Sequence, residues 1–414
     1  MAGGGTVTGS DDTEGGAAAR SLPRGATALF AVASGAAVAN VYFAQPLLVT
    51  LGREFGIGAS AVGVVVTLTQ IGYGLGLFLL VPLGDLVDRR RLVAVQLALL
   101  AAALVATGTA GTAAVLLAAL AAVGFLAVVT QTLVAFAASL SAPERRGRTV
   151  GLVTSGIVIG ILLARTVSGV LADLAGWRSV YLSSAALVLA LTLALRRVLP
   201  RRPARDASMG YARLLRSTLL LFAEERLLRV RALLALLVFA AFSTLWSCVA
   251  LPLSEPPLSL SHTAIGAFGL AGAAGALAAA PAGRLHDRGL AGWTTGVALA
   301  LLTLSWLPLA LTRQSLWALA AGAVLLDLAV QAVHVTSQSV LYAARPDAGS
   351  RLIGGYMVFY SVGSATGAVA STAVYGRAGW GAVCVLGAAI SALALVVWAA
   401  TRGGPARARG ASAG

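Results

Sequence analysis

The chain has 414 residues, 58% of them hydrophobic and only 11% charged, with a mean hydropathy of +0.89. A soluble domain carries about 25% charged residues, so this composition excludes an ordinary soluble protein and points to a chain folded in lipid. The formal charge of +15 rests on arginine alone, placed mostly in short segments between apolar runs, a distribution that fits positive-inside topology and argues against a nucleic-acid surface.

Residues 1–25 are rich in Gly, Ala, Thr and acidic residues and lack an apolar core or cleavage site, so they read as a disordered cytoplasmic tail and not as a signal peptide. A spanning helix needs about 20 mainly apolar residues. Six such stretches follow in the first half: Ala26–Leu48, Ala59–Leu83, Leu92–Gly111, Ala113–Leu140, Val150–Leu171 and Val180–Leu199. Six more follow in the second: Ala232–Leu251, Thr263–Ala282, Gly292–Leu311, Ser315–Tyr342, Leu352–Tyr375 and Gly381–Thr401. The expected fold is therefore all-α and integral to the membrane, with twelve transmembrane helices. Its expected divisions are a six-helix bundle over 26–199, a linker over 200–231, a second six-helix bundle over 232–401 and a cytoplasmic tail over 402–414.

With both termini inside, 25 of the 30 arginines fall on cytoplasmic segments, four on external loops, and Arg165 alone within a span. That asymmetry predicts an even number of spans, both ends cytoplasmic, in the inner (plasma) membrane. An internal repeat reinforces the plan. Pro143 and Pro346, Arg148 and Arg351, and Gly176-Trp177 and Gly379-Trp380 are each 203 residues apart. Two pseudo-symmetric bundles related by an axis along the membrane normal would produce this spacing. Between them, Tyr211–Leu228 alternates leucine and arginine at helical spacing, as an interfacial helix on the anionic inner leaflet would; a flexible basic linker is the alternative. Cys248 and Cys384 lie in apolar stretches without metal-ligand spacing and read as small core residues.

The segment Gly72–Arg91 runs apolar and glycine-rich up to Pro82, then turns into Gly84, Asp85, Asp88 and three arginines. The pattern returns as Gly283-Arg-Leu-His-Asp-Arg-Gly289, and in both copies an aspartate follows the glycine by four residues with an arginine directly after it. At a helix end, such charges can pair with another helix and its dipole in one state and release it in the other. Gly84, Asp88, Arg89, Gly283, Asp287 and Arg288 are thus candidate gating residues, with Arg90 and Arg91 explained as topology signals. Gly72, Gly74, Gly76, Gly156 and Gly160 stand at helix-packing spacing.

Twelve spans, the repeat and the paired Gly-x-x-x-Asp-Arg loops resemble the major facilitator superfamily from about Ala26 to Thr401, the loop corresponding to its motif A. Asn40-Val-Tyr-Phe-Ala-Gln-Pro-Leu-Leu48, Ala164-Arg165, Gly176-Trp-Arg178 and the Asp327, Gln331, His334, Gln338 stretch look like its bacterial twelve-span drug/proton-antiporter branch. Two positions depart from that branch. Leu116–Phe125 lacks the arginine usual in span four, and span five reads Gly156-x-x-x-Gly160-x-x-x-x-Arg165 where Gly-Pro is usual.

Charged groups inside a membrane are costly and usually functional. Asp327 lies about 18 Å into its span by helical rise, near the midplane. Gln331, His334 and Gln338 follow at offsets of four, seven and eleven, on one helical face. This stripe suits polar substrate binding, or proton uptake and release at Asp327 or His334; a structural network with Asp327 neutralised by Arg165 is the alternative. Arg165 itself reads three ways: binding an anionic group, pairing with a carboxylate, or snorkelling outward. Because spans one, four, seven and ten line the cavity in this superfamily, the resemblance adds Asn40, Gln45, Gln131, Phe242 and Trp246 as candidate substrate contacts, with Tyr360 as a further aromatic wall. Pro46 and Pro252 sit late in spans one and seven, where a kink can shape the outer mouth.

No P-loop, dinucleotide fingerprint, Ser-His-Asp spacing or HExxH occurs in the sequence, so no enzyme and no cofactor are expected. The expected function is efflux of a small amphipathic drug or metabolite in exchange for protons, by alternating access. Uptake by symport or facilitated diffusion is the alternative, and a non-transporting membrane receptor stands further off. The expected partners are a small-molecule substrate, protons and the lipid bilayer, with no nucleic acid.

Overall fold

The computed structural model describes residues 24–141, 143–199, 210–270, 272, 279–344 and 349–402. Most of both expected tails, the basic stretch before Gly210, Pro346 and part of the eighth expected span lie outside the described residues. Among those described there is helix, turn and bend but no strand. Among the described residues, nine helices are long and apolar enough to cross a membrane by length and composition.

The first expected span is not one helix. α1 (Arg24–Ala39) gives way to turns, a 3-10 segment at Gln45–Leu47 and a short α2 (Leu48–Glu54). Pro46 is the cause: it has no N–H to donate, and its ring opposes the carbonyl one turn back. The same interruption recurs in the second half, where α10 (Arg226–Trp246) ends and α11 (Ala250–Ser254) restarts around Pro252.

The other first-half helices are α3 (Val64–Leu79), α4 (Arg89–Gly108), α5 (Ala113–Ala127), α6 (Val129–Leu140), α7 (Pro143–Ala175) and α8 (Trp177–Val198). The α4–α5 boundary falls at the expected Gly111-Thr112, with the Thr112 side chain accepting from Val115 N. Helix α7 starts about two turns earlier than expected. The linker forms α9 (Tyr211–Glu224), held at both ends: the Tyr211 hydroxyl donates to Leu79 O at 2.8 Å, and Phe222 stacks on Phe359 at 5.3 Å. Then come α12 (His262–Ala267), α13 (Ala279–Asp287), α14 (Ala291–Leu304), α15 (Trp306–Ala310), α16 (Leu316–Ala344) and α17 (Gly349–Thr401). The chain leaves the helix once inside α17, at Gly379, so this element covers the last two expected spans.

The repeat is visible in the backbone. Gly176 and Gly379 have φ of 79° and 71°, a region that strains any residue with a Cβ, and each turns the chain between two helices. Gly160 and Gly363 both allow backbone contact. An added Cβ would come within 2.3 Å of Gly35 O in the first case and 2.1 Å of Leu236 O in the second. The packing partners match as well: α1 with α7, α3 with α5 and α4 with α8 correspond to α10 with α17, α13 with α16 and α14 with α17.

The two copies of the charged loop differ. In the first, a 3-10 turn at Val81–Asp85 is followed by Asp88, whose carboxylate caps α4 by accepting from Arg90 N (2.7 Å) and Arg91 N (3.1 Å). Arg89 donates to Gly84 O (2.7 Å) and to Ala135 O in the middle of α6 (3.1 Å). In the second, α13 runs straight through Gly283 to Asp287 and stops at Gly289, φ 77°. A glycine after Asp287-Arg288 permits that left-handed stop, whereas Asp88-Arg89 is followed by residues that must start the next helix. Arg288 is exposed, and the Asp287 side chain lies outside the described residues.

At the opposite rim the two halves meet. Gly63, at the start of α3, lies against Ala368 and Thr372 of α17, and Ser60 against Gly376. His262 joins three elements there. Its Nδ1 lies 2.6 Å from Asp173 Oδ1 at the end of α7, and its Nε2 lies 2.7 Å from Thr50 Oγ1 on α2. Thr263 N donates to Asp173 Oδ2 at 2.7 Å. Glu54, on the same rim, accepts from Trp177 Nε1 and pairs with Arg178 at 2.6 Å.

Candidate functional site

Between the rims, the two halves enclose a charged centre. Arg165 on α7 is only 3% exposed, and Asp327 on α16 only 6%. Trp246, the last residue of α10, links them: its Nε1 donates to Asp327 Oδ1 at 3.0 Å, and its ring lies 4.1 Å from the Arg165 guanidinium carbon. Tyr42 and Phe242 present further rings to that guanidinium at 5.3 and 5.7 Å. Arg165 Nε donates to Gln45 Oε1 at 2.5 Å, while Nη2 is enclosed without a hydrogen-bond partner. No direct ion pair joins Arg165 to Asp327 among the described residues.

Close backbone approach makes this arrangement possible. An added Cβ on Gly266 would sit 2.4 Å from Arg165 O, and one on Gly269 would sit 2.9 Å from Arg165 Cβ. At Gly272 it would meet Asp327 Oδ2 at 2.6 Å. These glycines, in α12 and just beyond it, therefore let that part of the chain press on both charged residues at once. Tyr42 and Tyr360 close the centre with a hydroxyl–hydroxyl bond of 2.7 Å between the two halves.

The expected stripe on α16 divides into two clusters. Asp327 turns to Trp246 and Gly272. His334, about 10 Å further along by helical rise, bonds the Tyr356 hydroxyl through Nδ1 at 2.9 Å and meets Gln338 Nε2 through Nε2 at 3.2 Å. The ring of Phe239 lies 5.2 Å from the imidazole, edge to face. Gln331 is half-buried between the clusters. Gln131, on α6, faces the Tyr73 hydroxyl of α3.

Asn40 is placed differently from the expectation of substrate contact. Its Nδ2 donates to Ala36 O (2.8 Å) and Ala37 O (3.3 Å), and its Oδ1 accepts from Ser184 Oγ of α8 at 2.7 Å. These bonds occupy the amide and give it a helix-packing role, because a buried amide left unpaired is costly. Sequence reasoning missed Tyr42, the glycines at 266, 269 and 272, and the Thr50–His262–Asp173 bonds. Tyr42 lay inside the noted Asn40–Leu48 motif, but nothing local to the others marked them.

A family model described as Major Facilitator Superfamily matches residues 30–312. The chain is 45% identical to the putative uncharacterized transporter YgaY of Escherichia coli strain K12 over 370 residues, which is 89% of this chain and 94% of that one. It is 36% identical to the probable transporter SCO4007 of Streptomyces coelicolor over 392 residues, covering 93% and 90% of the two chains. Among solved structures, a bacterial homologue of the human lysosomal transporter Spinster, inward-facing and occupied, superposes with a TM-score of 0.73 at 14% identity, covering 91% and 96%. The repeated helix packing, the paired glycine turns and a charged centre held between two halves agree with these likenesses, and the chain belongs to the major facilitator superfamily.

Proposed function

We propose that the chain is a proton-coupled secondary transporter of a small amphipathic compound, working by alternating access in the inner membrane with both termini cytoplasmic. One observation carries this reading. Gln45 and Arg165 come from the first half of the chain, Trp246 and Asp327 from the second, and they meet in one buried cluster. Rocking the bundles 26–199 and 232–401 against each other would change the surroundings of both charged groups together. A carboxylate at such a place can carry a proton in one state and lose it in the other.

In this scheme Asp327 is the proton site and His334 a second candidate. Arg165, Gln45 and Trp246 form the inner substrate contacts, with Gln131, Gln331 and Gln338 as flanking polar positions. Gly84, Asp88 and Arg89, echoed by Gly283, Asp287 and Arg288, control the cytoplasmic rim. Efflux in exchange for protons is supported by the resemblance to twelve-span drug/proton antiporters. A second direction, uptake with protons, is favoured by the enclosed and unpartnered Nη2 of Arg165, a donor suited to an anionic group.

The test is flux in proteoliposomes under an imposed pH gradient, with compounds screened for those that dissipate it. Asp327→Asn should abolish pH-driven transport while leaving downhill exchange of the same compound measurable. Full coupling in this variant would remove Asp327 from the proton path.

A further inference from the structure

The guanidinium of Arg165 is taken out of water without a carboxylate in ion-pair contact among the described residues. Gln45 supplies one neutral acceptor to Nε, and Tyr42, Phe242 and Trp246 supply neutral ring faces. Asp327, the carboxylate that electrostatically faces it, is engaged by Trp246 and does not reach it as an ion pair. One terminal nitrogen of the fork, Nη2, is enclosed without a hydrogen-bond partner. Arginine suits such a position because its planar fork pairs with two oxygens at once.

We infer that the centre takes an amphipathic organic anion, its carboxylate or similar oxyanion received by the unpartnered Nη2 of Arg165 and its flat apolar body laid against Tyr42, Phe242 and Trp246. The inference rests on the reading of this cluster as the transport site and names its substrate class. A cation of the same shape would meet a buried positive charge at low dielectric, where repulsion is strong.

The charge of the ligand also fixes the sign of coupling. Arg165 and Tyr42 face Asp327, and Tyr360 faces Arg165 and Tyr42. His334 lies two turns along the same helix, and the described residues that press on the centre from the other side, Gly266, Gly269 and Gly272, carry no titratable side chain. With Asp327 ionised the Arg165–Asp327 centre is neutral; with Asp327 protonated it carries one positive charge. An anion therefore binds the protonated centre more tightly, and by reciprocity its presence favours the proton. The two travel in the same direction, which selects uptake with protons over exchange.

The experiment uses the full chain in lipid nanodiscs and three matched probes: 2-naphthoate, 2-naphthamide and 2-naphthylmethylamine. Binding is measured calorimetrically at about pH 5.5 and about pH 8, where the naphthoate stays ionised. The expected result is naphthoate binding at least roughly tenfold tighter than the other two, and tighter at the lower pH. Arg165→Lys should weaken it but keep the preference for the acid, and Arg165→Ala should erase that preference. Asp327→Asn should tighten naphthoate roughly tenfold and remove the pH effect. Equal or tighter binding of the amine or amide, or no binding by any of the three, overturns the anion site. Flux separates this from the transport reading. pH-driven movement of the amine, lost in Asp327→Asn, overturns the anion inference and leaves proton coupling intact. Tight naphthoate binding without pH-driven flux leaves the anion site standing and overturns proton-coupled transport.

Discussion

Gly63→Ala tests whether the rim carrying Glu54 is held shut by backbone contact. Gly63 has φ −59° and ψ −19°, which alanine adopts without strain, so the substitution leaves local geometry alone. The conflict is across the interface. The new Cβ would lie 2.3 Å from Thr372 Oγ1 and 2.4 Å from Ala368 O. The threonine can rotate away, but Ala368 O belongs to the helix backbone, so α17 would have to retreat by about 1 Å to restore van der Waals separation. Overpacking of this kind costs about 1–3 kcal/mol. If the contact exists only while the rim is closed, that energy shifts the equilibrium toward the open form by roughly 5- to 150-fold.

Spin labels at Gly111→Cys and Gln314→Cys report on it. Both positions are exposed, one in each half, and the native Cys248 and Cys384 are buried at 0% and 4% exposure. Electron–electron distance measurements in proteoliposomes should show a longer-distance population growing in Gly63→Ala. Gly58→Ala, where an added Cβ meets nothing within 4 Å, should leave the distribution as in the parent. An unchanged distribution in Gly63→Ala would refute the closed-rim reasoning, and so would equal shifts in both variants.

Two further pairs of substitutions separate structure from gating and packing from propensity. Asp88 caps α4, and asparagine caps as well as aspartate, so Asp88→Asn should keep thermal stability while Asp88→Ala lowers it by about 0.5–2 kcal/mol. If the carboxylate also latches the rim, Asp88→Asn should cut turnover more than substrate affinity; weaker binding with turnover held would contradict the latch. On α7, Gly160→Ala brings a Cβ within 2.3 Å of Gly35 O and should destabilise the protein by about 1–3 kcal/mol, whereas Gly151→Ala, with open space around it, should be neutral or stabilising by up to about 1 kcal/mol. Unfolding in detergent, read by intrinsic fluorescence, distinguishes them; equal effects would mean that α1 and α7 are not packed this closely.

The two-fold plan was legible because it depends on local chemistry. A glycine that must take positive φ, or must admit a neighbouring carbonyl, leaves its mark at a fixed spacing, as Gly176 and Gly379 or Gly160 and Gly363 do. Asp327 was legible for a similar reason, as a lone carboxylate inside a long apolar helix. The surroundings of Asn40 were not legible, because a polar residue within a span says nothing about which way it turns, and its bond to Ser184 lies 144 residues away. The second charged loop carries the residues of the first, yet its backbone continues as helix because Gly289 supplies a later stop. Asp173 and His262 each occupy a span end, where polar residues are ordinary, and acquire a shared role only when α7 crosses α12.

That crossing also ties the rim to the centre. Along α7, Gly169 receives His262 O, an added Cβ there standing 2.3 Å away, and Asp173 receives the His262 ring and Thr263 N. One to two turns further along α12 and the 3-10 turn after it, Gly266 and Gly269 press on Arg165, and beyond them Gly272 presses on Asp327. The described residues of this stretch, His262–Leu270 and Gly272, are thus in contact with the rim bonds at one end and with both charged groups at the other. They cannot swing away from α7 at the rim without loosening the packing that holds Arg165 and Asp327 in their present places. An anion seated on the unpartnered Nη2 of Arg165 would act on the same contact from the other side, by changing the charge balance that Asp327 experiences. If the centre is the transport site and this rim its gate, the contact of α7 with His262–Leu270 offers a direct mechanical route between them.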